Sequence, residues 1–359
     1  MAPARTILIL GASYGSLLAT KLLLAGQNVS LVCLPEEAEL INREGTLVRL
    51  SVKGRDRTVE IRSRKLPGKL DAMTPAAADP RRFDLIALAM QEPQYGAGAV
   101  RELLARVAPS GKPVMSIMNM PPLPYFARIP GVDLKLLEPC YADPRVWDGF
   151  TPRLFTLASP DPQAFRPPEE PLNHLQVTLP TNFKVARFDD PASTAMLRQL
   201  EAAIEAVRFD PGDGPPVELP VKLKVHDSVF VPMAKWSMLL TGNYRCVGTD
   251  DMRSIREAVH SDLAASLAVY EWVGAVCRAI GASDADLVPF EKYANAALSL
   301  GKPSSAARAL AGGATRIERV DLLVQTLAAS RGMRNQTLDA TVALVDDWLA
   351  RNRIGKSGS

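Results

Sequence analysis

The chain has 359 residues, 47% of them apolar and 23% charged, with a net charge of +3. That length suits two domains, and the composition is that of an ordinary globular protein. The charge is too balanced for a surface built to hold nucleic acid or anionic lipid, and no run of 18 uninterrupted apolar residues offers a membrane span. The four cysteines (Cys33, Cys140, Cys246, Cys277) lack C-x-x-C spacing and read as free thiols of a cytoplasmic protein. His174, His226 and His260 stand far apart, so no metal site is expected.

In chain order, "ILILGASYGSLL" (7–18) runs an apolar strand through a glycine turn into a helix that Gly26 ends. "NVSLVCL" (28–34) is a second buried strand, so the opening thirty residues form a βαβ unit. In "VKGRDRTVEIRSRK" (52–65) the charges alternate with Val52, Val59 and Ile61, the pattern of a hairpin with one solvated face. "FDLIALAM" (83–90), "AVRELLARVA" (99–108) and "PVMSIMN" (113–119) continue as strand, helix and strand. This alternation predicts an α/β, Rossmann-like domain with a parallel sheet covered on both faces.

From 120 to 190 the text is proline-rich and strand-like, with "RLFTLAS" and "LQVTLP" as strands. A helix is expected over 193–207, with Leu197, Leu200, Ile204 and Val207 on one face. "FDPGDGPPVELP" (209–220) is rich in breakers and reads as a linker. Helical periodicity follows at 227–246, 254–280, 284–299, 316–330 and 336–351. The expected organisation is a first domain over 1–208, a linker over 209–221, an all-α domain over 222–352 and a disordered tail over 353–359.

The glycine turn admits three readings. As a secretion signal it fails, because Gly11, Ser13, Tyr14, Gly15 and Ser16 interrupt the apolar run and Lys21 follows without a cleavage site. As a G-x-S-x-G nucleophile elbow it lacks the half-sheet that should precede Ser13. As a dinucleotide turn it fits better: Gly11 takes the first glycine's place, Ser13 the second's, and Gly15 comes one residue early for the third. The helix start still offers N–H groups and a positive dipole end to a diphosphate.

Beyond this turn the chain carries "ALAMQEPQY", "SIMNMPP", "AKWSMLLTGNYRC" and "GKPSSAARALAGGATRIERVD" in that order. Over residues 5–351 it resembles the ketopantoate reductase (2-dehydropantoate 2-reductase) family, as a divergent member. Gln94, Asn119, Lys235, Asn243, Ser304, Ser305, Thr315 and Ile317 match the family's motifs. Gln91, Leu239 and Arg316 stand where the family has lysine, asparagine and glutamate.

The resemblance implies an NAD(P)H-dependent reductase of a 2-oxo acid or related carbonyl or imine compound. Lys235 would be the proton donor, as a lysine is charged at neutral pH with a reference pKa of about 10.4. Asn119 would touch the nicotinamide-ribose or the lysine. Gly11, Ala12, Ser13, Tyr14, Gly15, Ser16, Leu34, Met90 and Gln91 would line the cofactor. Asn243, two helical turns from Lys235, would hold an anionic substrate with Ser304, Ser305 and Arg316. NADPH is the implied cofactor, with NAD as the alternative, since "CLPEEAEL" has neither the arginine nor the aspartate that marks one of them. The resemblance leaves room for a homodimer.

Plain structural readings stand beside these roles. Lys235 could snorkel from a packed helix, Asn119 could serve a turn, Asn243 could end a helix, and Ser304 and Ser305 could cap one. The departure from glutamate to Arg316 argues against ketopantoate itself as substrate. A second class of function, an NADP(H)-binding sensor without catalysis, follows from the lost charged residues.

Overall fold

In the computed structural model, residues 4–55 and 57–357 are described. They divide into two compact units. The first runs to Met90 and adds Gln94–Tyr125 and Arg145–Val229; the second comprises Gln91–Pro93, Phe126–Pro144 and everything from Phe230 onward.

The described residues form twelve strands: β1 (Thr6–Leu10), β2 (Asn28–Val32), β3 (Leu47–Leu50), β4 (Val59–Arg62), β5 (Leu70–Met73), β6 (Leu85–Leu88), β7 (Val114–Ile117), β8 (Phe155–Ser159), β9 (Gln163–Phe165), β10 (His174–Leu179), β11 (Phe183–Ala186) and β12 (Leu223–His226). The thirteen helices are α1 (Ala12–Leu24), α2 (Pro35–Glu44), α3 (Gly98–Val107), α4 (Leu123–Phe126), α5 (Leu134–Leu137), α6 (Pro191–Ala206), α7 (Lys235–Met238), α8 (Ile255–His260), α9 (Leu263–Ala279), α10 (Phe290–Ala297), α11 (Ser305–Ala311), α12 (Val320–Ala329) and α13 (Gln336–Ser357).

The first unit is an α/β domain. Its main sheet has the order β12-β11-β8-β7-β6-β1-β2-β5. Neighbours are parallel except β8 and β11. The central strands β6 and β7 are buried at every residue, as unbroken apolar runs in a doubly covered sheet must be. A second sheet, β4-β3-β10-β9, lies in the same unit. Its β3–β4 hairpin buries Val59 and Ile61 and exposes Glu60 and Arg62, as the alternation over 52–65 predicts.

Helix α1 packs against β1 and β2 of the main sheet and against β3, β9 and β10 of the small one. That explains why it is buried nearly all round rather than along one stripe. Lys21, on this helix, is 2% exposed and donates through Nζ to the carbonyls of Leu219 (3.1 Å) and Pro220 (3.0 Å). Burial pulls its pKa down to about 7, with Lys222 lowering it further and Glu218 opposing.

Residues 209–221, expected as a linker, lie within the first unit. Phe209 and Val217 form an antiparallel bridge, and Leu219 and Val221 are buried. Apolar side chains set among the prolines and glycines hold the segment to the core. The chain then enters β12, which pairs with β11, so the region after 222 starts as a strand of the first sheet.

In the second unit the expected helix over 227–246 is a composite. A 3₁₀ turn (Val231–Ala234) leads into α7, then a π-turn (Leu239–Asn243) and another 3₁₀ turn (Tyr244–Cys246). The expected helix over 254–280 breaks into α8 and α9, because Asp262 caps a new helix by accepting from the Ala265 amide at 2.9 Å. Ser254 and Glu257 form a capping box at the start of α8. The helix expected from 316 begins only at Val320. No helix among the described residues is long and apolar enough to cross a membrane.

Candidate functional site

The main sheet reverses its direction of growth beside β1. The chain passes from β1 outward to β2 and β5, then returns to lay β6 and β7 on the other side. In open α/β sheets such a switch point, at the carboxyl ends of the strands, is where ligands bind. Because β2, β1, β6 and β7 are parallel neighbours, the residues following them share one edge. Leu34, Gly11, Met90 and Asn119 are brought together there.

Gly11 is the whole connection between β1 and α1, with φ 100° and ψ 99°. A Cβ at this position would lie 2.5 Å from Met90 Cγ and 2.8 Å from the Ala89 carbonyl oxygen, so both backbone and neighbours demand glycine. Its amide donates to Val32 O at 2.9 Å, tying the turn to the end of β2. Gly15 performs the packing task of a fingerprint's last glycine: a Cβ there would meet Ile9 Cγ2 at 2.6 Å. The Gly15 amide closes the first helical bond, to Gly11 O at 3.2 Å. Helix geometry thus leaves the amides of Ala12, Ser13 and Tyr14 without intrahelical acceptors.

The side chains of this turn are partly committed elsewhere. Ala12 is buried. Ser16 is buried and its hydroxyl donates to Ser13 O at 2.8 Å. The Tyr14 hydroxyl donates to Pro162 O at 2.7 Å, its ring stands edge-on to Phe183, and burial, helped by Asp161, holds its pKa well above the ordinary tyrosine value. The Ser13 side chain is half-exposed at the helix start. Leu34 is 72% exposed. The Met90 amide donates to the Tyr95 hydroxyl at 3.0 Å, and Asn119 is half-buried. Gln91 is exposed and falls in the second unit.

In the second unit, Lys235 opens α7 and is half-exposed beside Trp236, which is 1% exposed and packs against the Phe126 ring. The π-turn that follows contains Leu239 and ends on Asn243. Its wider winding means that the angle between Lys235 and Asn243 is not that of a regular helix; such turns concentrate at functional sites. Gly242 within it meets the Tyr293 hydroxyl, which leaves no room for a Cβ.

Ser304 is 2% exposed, caps α11 by accepting from the Ala307 amide at 3.1 Å, and donates to Asn243 O at 2.7 Å. The structure therefore joins Ser304 to Asn243 and commits the Ser304 hydroxyl to that link. Ser305 and Arg316 are exposed. Arg316 sits in the irregular segment ahead of α12, which the Tyr244 hydroxyl pins by donating to Glu318 O and accepting from the Val320 amide.

Sequence reading missed a pair of buried carboxylates in this unit, Glu92 at 2% and Glu318 at 7% exposure. The Glu92 amide donates to Glu318 Oε1 at 3.3 Å, and the Glu92 carboxylate accepts from the Ala142 amide at 3.0 and 3.2 Å. Burial pushes the Glu92 pKa up to about 7; the charge of Glu318 adds to this, while the Ala142 amide and Arg316 oppose it. Nothing local marks either glutamate, for "QEP" and "RIER" look like solvated text.

No protein-family model matches the chain, and no curated protein matches it. Solved structures do. A ketopantoate reductase from Ralstonia eutropha superposes with a TM-score of 0.62 at 17% identity, covering 97% of this chain and 99% of that one. D-mandelate dehydrogenase, solved with NADH and anilino(oxo)acetate, gives 0.62 at 14% identity with the same coverages. A dimeric ketopantoate reductase from Staphylococcus aureus gives 0.60 at 10% identity, again with 97% and 99% covered. The α/β first unit and the helical second unit thus have the fold of the ketopantoate reductases.

Proposed function

We propose that the protein is a nicotinamide-dinucleotide-dependent reductase of 2-oxo acids or closely related carbonyl compounds. The observation that carries this reading is the single-residue turn at Gly11, set at the switch point and packed so closely on the end of β6 that only glycine fits. Beyond it, the first turn of α1 offers a diphosphate three amides and a positive dipole end. The shared fold with ketopantoate reductases and D-mandelate dehydrogenase supports the same class of reaction.

When bound, a reduced nicotinamide would supply the hydride for the substrate's carbonyl carbon. Ala12, Ser13 and Tyr14 would hold the diphosphate through their backbone amides, with Gly11 setting the turn, and Met90 and Asn119 would line the cofactor from the ends of β6 and β7. Lys235 gives a proton to the carbonyl oxygen as that atom gains negative charge. Asn243, Ser305 and Arg316 bind the substrate's anionic groups. Ser304 acts behind them, fixing the backbone of Asn243. An arginine in place of a carboxylate favours a substrate with a second anionic group over a hydroxylated one. A homodimer is the proposed assembly, as for the Staphylococcus aureus enzyme.

The test is reduced-nucleotide oxidation across a panel of 2-oxo acids, followed by Lys235→Ala on the best substrate. The variant should keep its fold and nucleotide affinity and lose about 10²–10⁴-fold in kcat. An unchanged kcat removes Lys235 from the mechanism. Tight nucleotide binding without turnover on any acid replaces the reductase with a binding protein.

A further inference from the structure

The carboxyl end of β2 is where a dinucleotide spread over the switch point sets its adenosine ribose. A 2′-phosphate there needs a cation, commonly arginine, whereas an unmodified ribose takes a hydrogen-bonding acid. This chain places Cys33, Leu34, Pro35, Glu36 and Glu37 at that turn, and the family resemblance implies NADPH. The residues present do not fit a 2′-phosphate.

Leu34, the first residue beyond the half-buried Cys33, is 72% exposed and offers a phosphate nothing. Glu36 is exposed in the first turn of α2. Arg166, just after β9, does reach this turn, but its guanidinium is paired with Glu37, whose side chain is 9% exposed. The Cys33 thiol reports the same cluster: burial pushes its pKa up to about 12, Glu37 adds to the rise and Arg166 opposes it. The next cation along the helix, Arg43, lies eight residues beyond Pro35, about 12 Å along the axis, and pairs with Glu44 at 2.9 Å. The positive end of α2 would favour an anion. Two glutamates in its first turn already offset that charge, and Pro35 at the start contributes no N–H.

We infer that this edge selects NAD(H) over NADP(H), with Glu36 accepting from the ribose hydroxyls and Glu37 keeping Arg166 from serving a 2′-phosphate. The inference rests on the dinucleotide reading of the glycine turn and adds its specificity.

The experiment is equilibrium titration of the full chain with NADH and with NADPH, read by nicotinamide fluorescence. NADH should bind at least tenfold more tightly. The double variant Leu34→Arg/Glu36→Gln should move the affinity ratio toward NADPH by tenfold or more. Glu37→Gln, which releases Arg166, should move it the same way, whereas a merely structural role would weaken both nucleotides alike. Equal or tighter binding of NADPH by the unaltered protein overturns the inference and leaves the reductase reading standing. So does an affinity ratio that neither variant moves. Binding of neither nucleotide overturns both.

Discussion

Replacing Gly11 by alanine tests the turn on which the functional reading rests. The backbone there has φ 100° and ψ 99°, and holding an L-residue in such a region costs about 1–3 kcal/mol. The new methyl would also lie 2.5 Å from Met90 Cγ and 2.8 Å from the Ala89 carbonyl oxygen. Met90 can rotate away; the carbonyl cannot, because the Ala89 amide is bonded to Leu10 O at 2.8 Å and fixes the end of β6. Overpacking of this kind adds about 1–3 kcal/mol. The sum, about 2–6 kcal/mol, corresponds to a melting temperature lower by roughly 5–20 °C for a unit of this size. Gly15→Ala is the matched control, since its only penalty is the contact with Ile9 Cγ2 at 2.6 Å, about 1–3 kcal/mol. Scanning calorimetry should rank the two variants in that order, and nucleotide titration should show at least a tenfold loss for Gly11→Ala and a smaller one for Gly15→Ala. A Gly11→Ala protein that melts with the unaltered chain and binds nucleotide equally well would refute the reasoning, because the turn would then be neither strained nor crowded.

Two further outcomes concern the second unit. The Glu92 pKa is raised from 4.5 to about 7, so the folded state holds a proton that the unfolded state has released across that interval. Stability therefore falls as pH rises from about 4.5 to 7, by about 3 kcal/mol for a shift of roughly 2.5 units; Glu92→Gln should flatten that slope in denaturant titrations run from pH 4.5 to 8, and an identical slope would show that the carboxyl is ionised in the fold. Asp321 is fully buried and holds Arg319 through two 3.0 Å contacts, so Asp321→Ala should cost about 3–5 kcal/mol in urea unfolding, and a loss below 1 kcal/mol would mean that Asp346 alone satisfies the arginine.

The opening βαβ unit was legible because its determinants are local: an apolar run, a glycine that must take a positive φ, and a β-branched strand. The small sheet was not, since β3 finds its partner β10 more than a hundred residues away and no local period announces that pairing. The same distance hid Glu92 and Glu318, which meet across 226 residues. At 209–221 the prolines and glycines outweighed Leu219 and Val221 in the reading, yet those two buried side chains decide where the segment goes. Over 227–246 the apolar period was correct and the winding was not, because a π-turn differs from an α-turn by one residue that periodicity does not resolve. At the candidate site, the commitment of the Ser304 hydroxyl to Asn243 was not legible, because it depends on a contact between elements 61 residues apart.

Helix α1 is enclosed by two sheets, with its lone lysine fastened to the carbonyls of the 219–220 segment. The enclosure decides when the disorder of the glycine turn is removed. A free loop surrenders its conformational entropy each time a ligand arrives, and its affinity is reduced by that amount. Here the entropy is surrendered once, during folding, by the burial of Leu17, Leu18, Leu22 and Leu23. On the proposed function, an arriving diphosphate would meet amides already held in place. A lesion as remote as Ile61 in the small sheet, by loosening the wall behind α1, would then be felt as weaker binding at a turn it never touches.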